Sequence, residues 1–207
     1  ANNNTAVGYN SLFANTTGVR NLAVGCGALL NNTTASGNVA IGTVSLCSNT
    51  TGACNIAIGR LSMRLANSGD QNIGIGVETL YNNTADNNVA VGLCSLRGNT
   101  TGATNVAVGT QTLCTNVSGS CNVAIGQEAG RKHTASNLTA AGYLAGACNT
   151  SGGTHTVFGS QAGRFNTTGA SNVAMGFSAL LDNTTGSCSV ALGREALANN
   201  TTADHNT

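Results

Sequence analysis

Asn38-Val39-Ala40-Ile41-Gly42 decides the fold, because the phrase keeps returning. It reads Asn21-Leu22-Ala23-Val24-Gly25 one step earlier and Asn55-Ile56-Ala57-Ile58-Gly59 one step later. Its glycine recurs as Gly8, Gly25, Gly42, Gly59, Gly76, Gly92, Gly109, Gly126, Gly142, Gly159, Gly176 and Gly193, spaced by 17 residues nine times and by 16 twice. So short and regular a period is that of a solenoid, in which each copy is one coil stacked on the next. The chain is therefore read as one array over residues 1–207: an all-β, parallel β-solenoid (β-roll or β-helix) of about twelve 16–17-residue coils. At ~4.8 Å per coil it makes a rod about 55–60 Å long.

Positions are counted from the anchor glycine as zero. Val, Ile or Leu fill most of positions −3 and −1, with Ala between them in ten coils. Alternation with β-branched residues predicts a strand. The expectation is that Val and Ile face the coil interior and Ala and Asn face out. Position +3 is always small, and +4 is Leu in eight coils and Met63 in one, which predicts a second inward anchor. The following phrase, Asn49-Thr50-Thr51-Gly52 and its copies, has the composition of a β-turn. Two short strands and two turns per coil are expected. Three consecutive coils depart from this plan, with Gly130, Gly146 and Gly163 at +4. Phe158 and Phe165 are expected to fill the space that Leu leaves.

Composition narrows the function. Charged residues are 7%, aromatics 3%, proline is absent and the formal net charge is +1. Such a chain has no basic face for nucleic acid and no apolar run long enough to span a bilayer. No cofactor is implied. The chain does not begin with Met, and Ala1 reads as an internal or processed start. His133, His155 and His205 occupy different phases and match no zinc spacing, so no metal site is expected. The seven acidic residues form no converging pair, which leaves no catalytic set and an expectation of no enzymatic activity.

Three groups of residues are candidate sites. Cys47/Cys54 and Cys114/Cys121 each flank a turn and are candidate intra-coil disulfides, which would place the chain in an oxidising, extracytoplasmic setting. Cys26, Cys94, Cys148 and Cys188 have no partner at matching phase. Asn-X-Ser/Thr occurs at Asn15, Asn32, Asn49, Asn99, Asn116, Asn149, Asn166, Asn183 and Asn200, either as glycan acceptors or as stacked, hydrogen-bonded Asn ladders. The Ala column at −2, represented by Ala40, Ala57 and Ala107, is expected to be an assembly face, since Val and Ile are assigned to the interior. Arg64, Arg97, Arg131 and Arg164 share position +5 in alternate coils, a solubilising stripe or a weak site for glycans and other anionic polymers.

The phrase Asn-Val-Ala-Ile-Gly-x-x-Ala/Ser-Leu resembles the head repeats of trimeric autotransporter adhesins. The longer phrase, as in Asn4-Thr5-Ala6-Val7-Gly8 through Ser11-Leu12 to Asn15-Thr16-Thr17-Gly18, is similar to repeat shafts of phage and viral tail fibres. The resemblance covers nearly all of the chain. It implies an extracellular, cell-surface or virion fibre of stacked β-coils, often trimeric. The expected function is a non-enzymatic structural shaft that self-associates, end to end or as a trimer, with the rod continuing past both ends of the sequence. Ice binding by a Thr ladder is the rival, although the Thr pairs are adjacent within a turn instead of alternating along a strand. A polysaccharide-degrading solenoid would need an acidic cluster that the chain lacks.

Overall fold

The computed structural model describes residues 2–207. It is a β-solenoid with no helix, built on a single parallel sheet of twelve strands in sequence order. The strands are β1 (Thr5–Val7), β2 (Leu22–Val24), β3 (Val39–Ile41), β4 (Ile56–Ile58), β5 (Ile73–Ile75), β6 (Val89–Val91), β7 (Val106–Val108), β8 (Val123–Ile125), β9 (Leu138–Ala141), β10 (His155–Phe158), β11 (Val173–Met175) and β12 (Val190–Leu192). Register holds column by column: Val39 lies beside Ile56, Ala40 beside Ala57 and Ile41 beside Ile58. Both 16-residue coils lose their residue in the turn, where Asn83-Thr84-Ala85 and His133-Thr134-Ala135 replace Asn-Thr-Thr-Gly.

Each coil carries one strand of three or four residues, not two. The rest is a chain of turns containing left-handed residues at +2, +4 and +12, as in Val44 (φ 58°), Leu46 (φ 48°) and Cys54 (φ 58°). Left-handed backbone costs an L-residue about 1–2 kcal/mol. It is held here because it aims successive N–H groups along the rod: Val44 donates back to the Cys26 carbonyl (2.8 Å) and Leu46 forward to that of Ser62 (2.9 Å). The anchor glycine has no substitute. Gly42 sits at φ +134°, and a Cβ there would lie 2.6 Å from the Gly59 carbonyl oxygen of the next coil.

The strands face the opposite way from the sequence expectation. Ala40, Ala57 and Ala107 are 0% exposed and belong to one continuous core, whereas Val39 and Ile41 on either side are only half-buried. The coil is too thin for Val inside. The small +3 residue packs directly onto the strand, with Ser62 Oγ donating to the Gly74 carbonyl at 2.9 Å and Ser95 Oγ to that of Ala107 at 3.0 Å. The Leu column at +4 fills what space remains, and Leu29, Leu46, Leu80, Leu96 and Leu113 are all fully buried.

The three irregular coils obey the same volume rule. Gly163 leaves a gap that Val157 enters from position −2, and a Cβ on Gly130 would meet Leu138 Cδ2 at 2.7 Å. Leu138 and Val157 are therefore the filling, while Phe158 and Phe165 are each 39% exposed and point outward. Packing is slightly incomplete, and an internal cavity of ≈10 Å³ remains between Leu138, His155, Val157 and Asn166.

Candidate functional site

Two asparagine ladders line the interior, the second interrupted by Leu138, His155 and Ser189. In the first, at +7, the amide donates to the preceding rung in most coils where that rung is Asn: Asn32 Nδ2 to Asn15 Oδ1 (3.0 Å), Asn49 to Asn32 (2.9 Å), Asn99 to Asn83 (2.7 Å) and Asn183 to Asn166 (2.9 Å). The same nitrogen also donates to a carbonyl three residues on, as Asn49 does to Gly52 at 2.9 Å. In the second, at −4, the side-chain oxygen of one coil accepts the backbone N–H of the next, as Asn38 Oδ1 does from Asn55 at 2.9 Å. Its amide donates to the carbonyl that the first ladder uses, so Gly52 accepts from both Asn38 and Asn49. These bonds satisfy the polar groups of a wall too thin to exclude them from the core.

This arrangement decides between the two readings of the sequons. Asn32, Asn49, Asn99, Asn116, Asn149, Asn166 and Asn183 are all buried, and Asn15 and Asn200, in the end coils, are half-buried. A nitrogen already donating both hydrogens inside the wall has no room for a sugar. For the seven buried positions the glycan-acceptor expectation is therefore corrected: these residues are ladder rungs.

The ladder has two defects. Ala66 stands where a rung should be, which leaves Asn49 Oδ1 buried without a partner. His133 replaces the next irregular rung. Its Nδ1 lies 3.0 Å from Asn149 Nδ2, and its Nε2 is buried and unpartnered. Burial, followed by the nearby His155, lowers the His133 pKa to about 4, against a small opposing effect of the Ala135 carbonyl. His155 takes a rung position of the second ladder, with Nδ1 accepting the Asn172 N–H at 3.4 Å, and reaches the first ladder through Nε2, 3.2 Å from Asn166 Nδ2. Burial lowers its pKa too.

All eight cysteines are free thiols, so the pairs Cys47–Cys54 and Cys114–Cys121 are also corrected. The members of each pair lie on different faces. Cys47 sits in the +5 column near Arg64, and Cys54 begins the outward row that continues into Ile56 and Ile58. Burial pushes the thiol pKa of Cys47, Cys94 and Cys114 upward. The arginine stripe is largely paired. Arg97 bonds Glu78 at 2.7 Å, Arg131 bonds Glu128 at 3.1 Å, and Tyr81 lies between Arg64 and Arg97 with ring centroid distances of 5.9 and 5.5 Å. Among the described residues no group of three or more His, Cys, Asp and Glu converges on a metal position, and no helix is long and apolar enough to cross a membrane.

The surface that stands out is the outer face of the sheet. With Ala inside, the −3 and −1 columns form two parallel, mostly aliphatic rows along the rod, with Thr at Thr5, Thr139 and Thr156. Ile75, Val123, Ile125, Phe158, Met175 and Leu192 are its most exposed members outside the first coil, Ile125 at 47%. No charged residue interrupts either row. Sequence reasoning missed this face because it ranked Val and Ile by hydrophobicity alone. A usable signal was present: the −2 column is almost uniformly Ala, whereas −3 and −1 admit Val, Ile, Leu, Thr, Ala, Phe and Met. A tight interior restricts residue size, and an outer face does not.

The fold and this surface define a β-solenoid repeat protein. No family model, curated protein or solved structure matches the chain.

Proposed function

We propose that the chain is a non-catalytic structural element, a stretch of shaft in an extracellular or surface-borne fibre that self-associates. The observation that carries this reading is the direction of its bonding. Backbone ladders, both Asn ladders and the Thr column all run along the rod axis, so stiffness and length are the properties the sequence repeats. The assembly face assigned to Ala40, Ala57 and Ala107 moves to the aliphatic rows on either side of them.

The Thr column also favours a shaft over an ice-binding surface. Thr50 Oγ1 donates to the Asn67 carbonyl at 3.1 Å, and Thr16, Thr84, Thr100, Thr134, Thr150, Thr167 and Thr184 make the equivalent bond to the next coil. The hydroxyls of this column are engaged by the backbone, which leaves only the adjacent exposed threonines, such as Thr51 and Thr101, to order water. Negative-stain imaging of the purified chain tests the proposal. Rods of about 55–60 Å, joined along or across their length, are expected from ~4.8 Å per coil. Isolated, compact particles together with thermal hysteresis of the solution would refute it.

A further inference from the structure

Cys121-Asn122-Val123-Ala124-Ile125 alternates strictly, with Cys121, Val123 and Ile125 outside and Asn122 and Ala124 inside. Cys54-Asn55-Ile56-Ala57-Ile58 and Cys188-Ser189-Val190-Ala191-Leu192 repeat the arrangement on β4 and β12. Three exposed cysteines thus stand in one column at the edge of the aliphatic face, each two residues before its strand, β4, β8 or β12. The two intervals between them are equal, both in strands and in residues.

We propose that a second copy of this chain packs on the outer sheet face, the two rods running antiparallel about a two-fold axis that lies along strand β8. The proposal does not depend on the fibre reading.

Four observations support it. The face is uncharged along both rows, and an apolar ribbon of this length is an association surface rather than ordinary exposed surface. Its spacing is that of the sheet itself, so a second copy keeps the same register from end to end, whereas a partner with another repeat would drift out of phase. The axis at β8 makes β4 to β12 overlap. Nine strands at ~4.8 Å and a face ~12 Å wide bury about 1,000–1,200 Å² in total, the lower end of the range for specific interfaces. Apart from Val7 in the first coil, the most exposed members of the two rows all lie within that overlap.

The cysteines fix the direction. Turning the partner about an axis along the strands lays the −5 column of one copy over the −5 column of the other. A parallel pair, related by an axis along the rod, would instead lay −5 over +1. In the antiparallel pair Cys121 faces the second copy's Cys121, and Cys54 faces its Cys188, all at once because the intervals are equal. The sheets stand ~10 Å apart, beyond the ~7 Å limit between Cα atoms for a disulfide but within reach of a short bismaleimide. At the opposite rim Arg60 faces the second copy's Arg194, whose charge is paired with Glu195 at 3.2 Å.

Single-cysteine chains, with the other seven changed to Ser, test the arrangement by cross-linking with a short bismaleimide. The chain keeping Cys121 is expected to cross-link to itself. The chain keeping Cys54 is expected to stay monomeric alone and to cross-link when mixed with the chain keeping Cys188. Equal self-cross-linking of the Cys54 chain would overturn the antiparallel register. Sedimentation of the unmodified chain tests the interface itself: a monomer at every concentration up to roughly 100 μM would overturn it. Ile125→Lys points outward and lies on the axis, so each pair carries it twice. It is expected to weaken pairing at least about tenfold while the circular dichroism stays unchanged. Pairing that survives Ile125→Lys in the folded chain would also refute the assigned face. Stacking of rods end to end would survive it, which separates the two modes of assembly.

Discussion

Ala66→Asn should stabilise the rod by completing a broken ladder. Asn49 Oδ1 is buried and accepts nothing, because the rung above it is a methyl group. The Gly69 carbonyl, which by analogy with Gly52 should accept two amides, accepts only that of Asn55, at 2.7 Å. An Asn at 66 supplies both missing donors, and its own oxygen faces Asn83 Nδ2. Relieving a buried unpaired oxygen is worth about 1–3 kcal/mol and each new neutral bond about 1 kcal/mol. Ordering the new side chain costs about 1 kcal/mol. Counting the Asn49 bond as that relief and the Gly69 bond as the new one, the net gain should be about 1–3 kcal/mol. A repeat array opens locally, so the gain is best read from amide exchange around residues 49–72 rather than from one melting temperature. Ala66→Asp is the control: an acceptor placed against Asn49 Oδ1 should destabilise the same coils. If Ala66→Asn speeds exchange there, or if Asp and Asn behave alike, the ladder is not what holds this wall.

Ala40→Glu places a carboxylate in the core and should cost at least about 4 kcal/mol, giving a misfolded or insoluble chain, while Ile41→Glu should leave circular dichroism intact. Gly42→Ala combines an unfavourable φ with a clash against the Gly59 carbonyl and should lower the unfolding free energy by several kcal/mol, read by urea titration. His133 is neutral when folded and its pKa is lowered to about 4, so its contribution is full above the unfolded value of 6.5 and is lost as pH falls from there towards 4. The loss should reach about 3 kcal/mol. His133→Asn should remove that part of the slope in denaturation measured from pH 7.5 to 4. Thiol labelling of the folded, unreduced chain should modify the exposed Cys26, Cys54, Cys121 and Cys188 quickly and Cys114 slowly; intact-mass evidence of a disulfide would contradict the structure.

The sequence by itself determined the architecture. The spacing of Gly8 to Gly193 set the number of coils, their stacking and the one-to-one strand register, because a 17-residue unit with so little apolar mass is stable only against copies of itself. It also located the Leu column and offered the Asn ladder as one of two meanings of Asn-Thr-Thr-Gly. The tertiary structure alone decided which side of Val-Ala-Ile faces inward. Hydrophobicity favours Val and Ile inside; the space left between the strand, the +3 residue and the Leu column admits only a methyl group. Where Leu gives way to Gly146 and Gly163, Val157 fits, which shows that volume and not polarity sets the choice. That choice brought the asparagines inside and turned the thiols of Cys54, Cys121 and Cys188 outward. It also left the aliphatic rows facing solvent, where another chain can cover them.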